Sequence, residues 1–202
     1  MLTVGTATAQ SISNTGVPAN VNASFQDAKW QVSTNNGATW IQALQVQSPP
    51  SPPWASATAA YSWISATTTG SNGGGNYLFR TFFDLTGYDP STATLSFRCA
   101  IDNLPTNAGF FSLNGAAFGG LCGSQSNGYQ LATMQTLVSG FTGGMNELRF
   151  AVSGDSRTDG LLVANASLSA NVNVVPEPAS VALFGMGVIS LAAVARRRKS
   201  TN

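Results

Sequence analysis

Histidine is absent from all 202 residues. Its absence removes Ser-His-Asp and Cys-His nucleophilic catalysis together with imidazole-bound metals. Charge is almost as scarce: Asp, Glu, Lys and Arg make up 8% of the chain, against about a quarter in ordinary globular proteins. Setting aside four basic residues and one acidic residue in 176–202, the remainder holds five basic and seven acidic residues. No basic patch for nucleic acid can be assembled from that set, so no nucleic-acid partner is expected. Cysteine occurs twice, and no helical period of useful length precedes residue 176. Gly, Ser, Thr, Asn and Ala fill the space that charge leaves, which is the composition of an exported β-rich protein kept soluble by neutral polar side chains.

What is present is a period of two. Leu95, Phe97, Cys99 and Ile101 alternate with Ser96, Arg98 and Ala100, which reads as a half-buried strand over 93–101. The same reasoning predicts strands over 30–33, 40–46, 61–65, 77–84, 110–113, 146–152 and 161–174, the last with Leu162, Ala164, Ala166, Leu168, Ala170, Val172 and Val174 on one face. Asn36-Gly37 and Asn114-Gly115 suit turns with positive φ, and Gly70 to Gly75 reads as a loop. The proline-rich stretch from Ser48 to Pro53 reads as an extended loop, since too few residues precede it for a separate domain. The expected body is therefore one all-β, antiparallel sandwich domain over residues 10–175, about 165 residues and large enough to bury a core.

The C-terminus has a different character. Pro176-Glu177-Pro178 lacks two backbone donors and is expected to be extended, with Pro178 able to open a helix. Residues 179–195 then carry no charge, as a transmembrane helix requires, and their length is at the short end of the roughly 17 to 25 residues that cross a bilayer. Arg196, Arg197, Arg198 and Lys199 follow as a cytoplasmic basic anchor, so the body is expected on the opposite side of the membrane. In order and spacing, this Pro-Glu-Pro motif, Gly/Ala-containing span and Arg-rich end resemble the PEP-CTERM sorting domain of Gram-negative bacteria. The resemblance implies an exosortase as partner, recognition of residues 176–202, and release of the body. The implied route runs from the inner membrane, with the body in the periplasm, to the cell surface or extracellular matrix. The catalytic groups on that route belong to the exosortase. At the other end, Ala7-Thr8-Ala9 has the small-x-small form of a signal-peptidase site, so residues 1–9 are expected to be the remnant of a longer signal peptide.

A second resemblance lies in the body. Tyr77-Leu-Phe-Arg80-Thr-Phe-Phe-Asp84, the strand through Ile101, Phe111-Ser-Leu-Asn114-Gly115 and Phe141 to Phe150 together resemble the galactose-binding-like jelly roll over residues 77–163. That likeness implies a β-sandwich more strongly than a ligand.

Few residues remain for chemistry. A carboxylate pair for glycoside hydrolysis could be drawn from Asp84, Asp89, Asp102, Glu147, Asp155 and Asp159. Most of these adjoin Gly, Pro or Asn, where Asp caps turns, so the chain is expected not to be an enzyme and to need no cofactor. The segment from Asp155 to Gly160, with Asp102-Asn103, offers oxygen ligands but fits no defined calcium loop, and no metal is expected. Trp30, Trp40, Trp54, Trp63 and Tyr61 read as core or as a sugar-stacking platform, with Trp54 beside the proline loop the candidate carbohydrate contact. Cys99 and Cys122 either form a disulfide, natural outside the cytoplasm, or leave Cys99 as a buried thiol with Cys122 in a loop. The expected role is an exported, non-catalytic surface or extracellular-matrix protein that meets exopolysaccharide; a lectin-like carbohydrate-binding module is the alternative, ahead of a glycoside hydrolase.

Overall fold

The computed structural model describes residues 12–50, 53–71, 73–103, 110–123, 129–155 and 157–173. Residues 1–9 and the tail from 176 onward, with the sorting motif, the apolar span and the basic anchor, lie outside the described residues. Nine strands and one 3-10 turn, Pro18–Asn20, make up the regular structure described. The strands are β1 Gln26–Ser33, β2 Ile41–Gln45, β3 Ile64–Ser65, β4 Gly75–Asp84, β5 Tyr88–Asp102, β6 Phe111–Leu113, β7 Gln135–Leu137, β8 Met145–Gly154 and β9 Gly160–Val172. They fall within one compact unit, Gly5–Val172.

All pairings are antiparallel, in one sheet of order β6-β8-β4-β1-β2-β3-β9-β5-β7. In that order β8 and β5 are six steps apart, roughly 29 Å if the sheet were flat. Yet Phe97 of β5 lies 5.5 Å, centroid to centroid, from Phe150 of β8, and 5.0 Å from Phe111 of β6. Only a sheet curled over on itself brings these rings together, and the result is an all-β sandwich consistent with a jelly roll. Trp30, Phe79, Leu95, Leu148 and Val163 fill the same interior.

The alternation read in β5 holds: Leu95, Phe97, Cys99 and Ile101 are buried in this core. Ala100, on the opposite face, is buried as well, under a second cluster with Trp54, Trp63 and Leu162. The single face expected along β9 is broken. Arg98 pairs with Ala164 and Ser96 with Ser167, so β9 advances three residues while β5 advances two. The extra residue is a β-bulge with Asn165 at φ +54°, and it reverses side-chain parity. Leu161 and Val163 therefore share the main core with Leu168 and Ala170, whereas Leu162 packs in the second cluster. Val172 is exposed.

The bulge is held by the segment ahead of β1. Thr15 Oγ1 accepts the Val163 amide at 2.9 Å and donates to the Ser62 carbonyl at 2.7 Å. Asn14 Oδ1 accepts the Ala166 amide at 2.8 Å. Two amides flanking the irregularity thus keep partners, as buried backbone donors require.

Two further strand readings change. The stretch over 61–65 reduces to the two residues of β3, with Tyr61 bridging back to Thr58. β7 had no alternation long enough to be seen, and it pairs through Leu137, Thr136 and Gln135 with β5. Asn36-Gly37 and Asn114-Gly115 do adopt positive φ. The second turn folds the chain back so that Gly119 bridges Phe111.

Cys99 and Cys122 are bonded, closing a sequence separation of 23. The bond ties the β6–β7 connection to β5. Beside it the Gly123 and Ala132 amides donate to the Cys99 carbonyl, and Arg98 donates to the Ala132 and Leu131 carbonyls.

Two expectations follow from this framework. Asn165→Val forces a β-branched residue into the left-handed region and should destabilise by about 1–2 kcal/mol, while Asn165→Gly should stay within about 0.5 kcal/mol of the parent; urea unfolding of the three proteins measures both. Cys99→Ala with Cys122→Ala should lower stability by roughly 3 kcal/mol or more, because the closed loop no longer restricts the unfolded chain, and a shift of the urea midpoint reports it.

Candidate functional site

Two clusters of polar and aromatic side chains stand out from this low-charge body. The first surrounds Trp54. Its indole is only 2% exposed, so Trp54 is no open platform for a sugar ring. It stacks on Trp63 with centroids 4.0 Å apart and donates through Nε1 to Asp102 Oδ2 at 2.6 Å. Trp63 in turn donates to the Ala55 carbonyl. Gly160 lies so close beneath the pair that a Cβ there would come within 3.3 Å of Trp54 and 2.9 Å of the Ile64 carbonyl. Trp54 turns inward, where the apolar area of two indoles outweighs surface placement. Trp30 is buried too, donating to the Ser13 carbonyl.

Asp102 and Asp159 lie at this end and are 8% and 0% exposed. Asp159 accepts the Asp155 amide at 3.2 Å through Oδ1, and its Oδ2 has no hydrogen-bond partner. Loss of hydration is the main cause that raises both carboxyls from the usual 3.8 to about 6. The Trp54 N–H opposes the rise at Asp102, and the charges of Asp159 and Asp155 reinforce it. Among the described residues no group of three or more His, Cys, Asp or Glu could hold a metal ion.

The second cluster was not read from the sequence. It lies on the outer face of β1, β4 and β8, where register brings Gln31, Arg80 and Arg149 into line and Trp40, just ahead of β2, covers the two arginines. Gln31 pairs with Arg80, Arg80 with Arg149, and Arg149 with Ser112. Arg80 stacks its guanidinium 4.0 Å above the Trp40 ring and 5.0 Å from Phe82. Its Nε donates to Gln31 Oε1 at 2.8 Å, and its Nη1 meets Glu147 Oε1 at 3.3 Å. Arg149 meets the other oxygen of Glu147 at 2.7 Å. One carboxylate therefore holds two guanidiniums over an aromatic surface. Phe82 is 44% exposed and, with Lys29, Thr81, Asp84 and Met145, lines an adjoining cavity of about 340 Å³. Alternation within β4 and β8 is the signal that could have placed Arg80 and Arg149 outward; the pairing of those strands carried no sequence signal.

The remaining carboxylates have local partners. Asp84 accepts the Thr86 amide and hydroxyl, and Asp89 does the same for Ser91, which pulls both below the ordinary range. Asp27 accepts the Gly16 and Lys29 amides, yet burial still raises it.

A pH dependence follows from Asp159. Its folded value lies above the unfolded one, so between about pH 4 and 6 the native state binds the extra proton, and the stability this confers is lost as pH rises through 6. Asp159→Asn removes the titration. Relative to the parent, the variant should gain stability at pH 7.5 compared with pH 4.5, measured as the difference in urea midpoints. A difference constant across that range would show that Asp159 is not the group responsible.

No curated protein and no solved structure matches the chain. A family model does match at the C-terminus, over residues 174–199, which include Pro176, Glu177, Pro178, the uncharged run and the basic cluster, and it is described as the PEP-CTERM protein-sorting motif. The chain is thus an exported protein that carries the PEP-CTERM motif, the signal through which an exosortase recognises its substrates.

Proposed function

We propose that this chain is a non-catalytic surface or extracellular-matrix protein, carried to the membrane by its tail and released by exosortase cleavage near Pro176-Glu177-Pro178. In this reading residues 179–195 hold the chain in the inner membrane, Arg196 to Lys199 keep its end cytoplasmic, and the body waits in the periplasm. The freed sandwich then associates with exopolysaccharide.

The observation that carries the non-catalytic reading is the occupation of the body's carboxylates. Glycoside hydrolysis needs two carboxyl groups facing one substrate cleft across roughly 5 to 9.5 Å. Asp84 and Asp89 cap their own turns, Asp27 holds two backbone amides, and Glu147 is clamped by two arginines. Asp102 and Asp159 are buried, and Asp155 accepts the Arg157 amide two residues on. The cavity beside Phe82 has one carboxylate in its lining, Asp84. A lectin-like module remains the second reading, supported by the aromatic and guanidinium surface around Trp40 and no longer by Trp54.

Intact-mass measurement of the mature protein from native cells tests the route. A C-terminus near Pro176, on protein recovered with the extracellular matrix, is the expected result. Recovery in the membrane fraction with Arg196 to Lys199 still attached would replace it with a permanent anchor.

A further inference from the structure

We propose that the outer face of β1, β4 and β8 binds a polyanionic glycan, with Arg149, Arg80 and Lys29 meeting its carboxylate or sulfate groups and Phe82 stacking on a sugar ring. This deepens the matrix reading above and rests on it for the setting. Three of the five basic residues outside the tail, Lys29, Arg80 and Arg149, lie on this face. That concentration is pronounced in a body with so few charges.

The guanidiniums are preorganised for a planar anion. Arg80 is fixed by Trp40, Gln31 and Glu147, and Arg149 by Glu147, so less side-chain freedom is lost on binding. Glu147 offsets one of the two positive charges, and Lys29, exposed on the same face, has no ion pair among the described residues.

Asp84 lines the same cavity as Lys29 and Phe82, and the buried Asp27 lies within electrostatic reach of Lys29, so the face keeps a small positive excess centred on the two arginines. Asp155 lies six residues beyond Arg149 along an extended strand, roughly 20 Å, more than twice the screening length of about 8 Å at physiological salt. The exposed Phe82 and its adjoining cavity give one sugar ring an apolar surface of the kind that directs a glycan rather than a free ion.

The full chain in detergent can be tested by affinity electrophoresis through gels containing polygalacturonate, dextran sulfate or neutral dextran. Retardation by at least one anionic polymer, weakened roughly tenfold between 50 and 300 mM NaCl, with none by dextran, is expected. Arg149→Gln should weaken binding roughly tenfold, and Arg149→Lys less, at unchanged melting midpoint. Lys29→Gln, at an exposed side chain, gives the same reading if the Arg149 variants fail to fold. Equal retardation by dextran, no retardation by either polyanion, or full binding by Lys29→Gln and Arg149→Gln would overturn the proposal. So would salt-sensitive self-association of the chain abolished by the same variants. Failure here with the native protein still recovered in the matrix rejects only this site; recovery in the membrane with the tail intact rejects the matrix reading itself.

Discussion

The contact of Phe97 with Phe111 and Phe150 is the constraint from which the rest of the molecule follows. These rings come from strands at opposite ends of the sheet order, so their burial is available only when the sheet rolls closed. Closure converts one face into an interior and leaves the other to solvent. It also brings the two edges, β6 and β7, close enough for one connection to run between them, and that connection carries Cys122. The disulfide to Cys99, two residues from Phe97, fastens the loop to the strand that forms the seam. A two-strand step such as β4 on β8 would form in a flat sheet too, but a flat sheet would expose the rings that give the fold most of its driving force.

The bulge at Asn165 is the second device, and it answers a geometric demand. Near its start β9 is covered on both faces, with Leu161 and Val163 toward the main core and Leu162 toward Trp54 and Trp63. Further along, it serves only one core. A single extra residue changes which positions point inward, and Asn tolerates the left-handed conformation that the change requires. Thr15 and Asn14, more than a hundred residues away, accept the neighbouring amides.

This explains what could be read in the chain and what could not. Strict alternation around Phe97 identified β5 and its buried face because one face meets the core and the other does not. The same rule failed in β9, since a row of small apolar residues on every second position looks like one face whether or not a bulge interrupts it. β7 is three residues long and its pairing supplies what its pattern lacks. Trp54 was misplaced because a proline-rich stretch favours the surface by composition, whereas the indole is drawn under Gly160, whose missing side chain leaves room for two stacked rings. The Arg80, Arg149 and Glu147 cluster depends on the register of β4 with β8, a ten-residue pairing that no local pattern encodes. The tail was legible throughout, because its function rests on the order of residues along the chain and not on folding.

Low charge gives these placements their meaning. In a body with twelve ionisable acidic and basic side chains of the Asp, Glu, Lys and Arg types outside the tail, two carboxyls are buried without a cation partner and two arginines share a carboxylate on the surface. The buried pair disfavours ionisation and makes the Trp54 end sensitive to pH. Away from the arginine cluster, exposed charge among the described residues is sparse, with Asp155 and Arg157 near the Trp54 end, so ionic strength has little to act on. An exported protein whose surroundings vary in salt and pH thus keeps its core and most of its surface indifferent to salt. Its response to salt is concentrated on the face of β1, β4 and β8, which is where a charged partner would be held or released, and its response to pH lies at the Trp54 end.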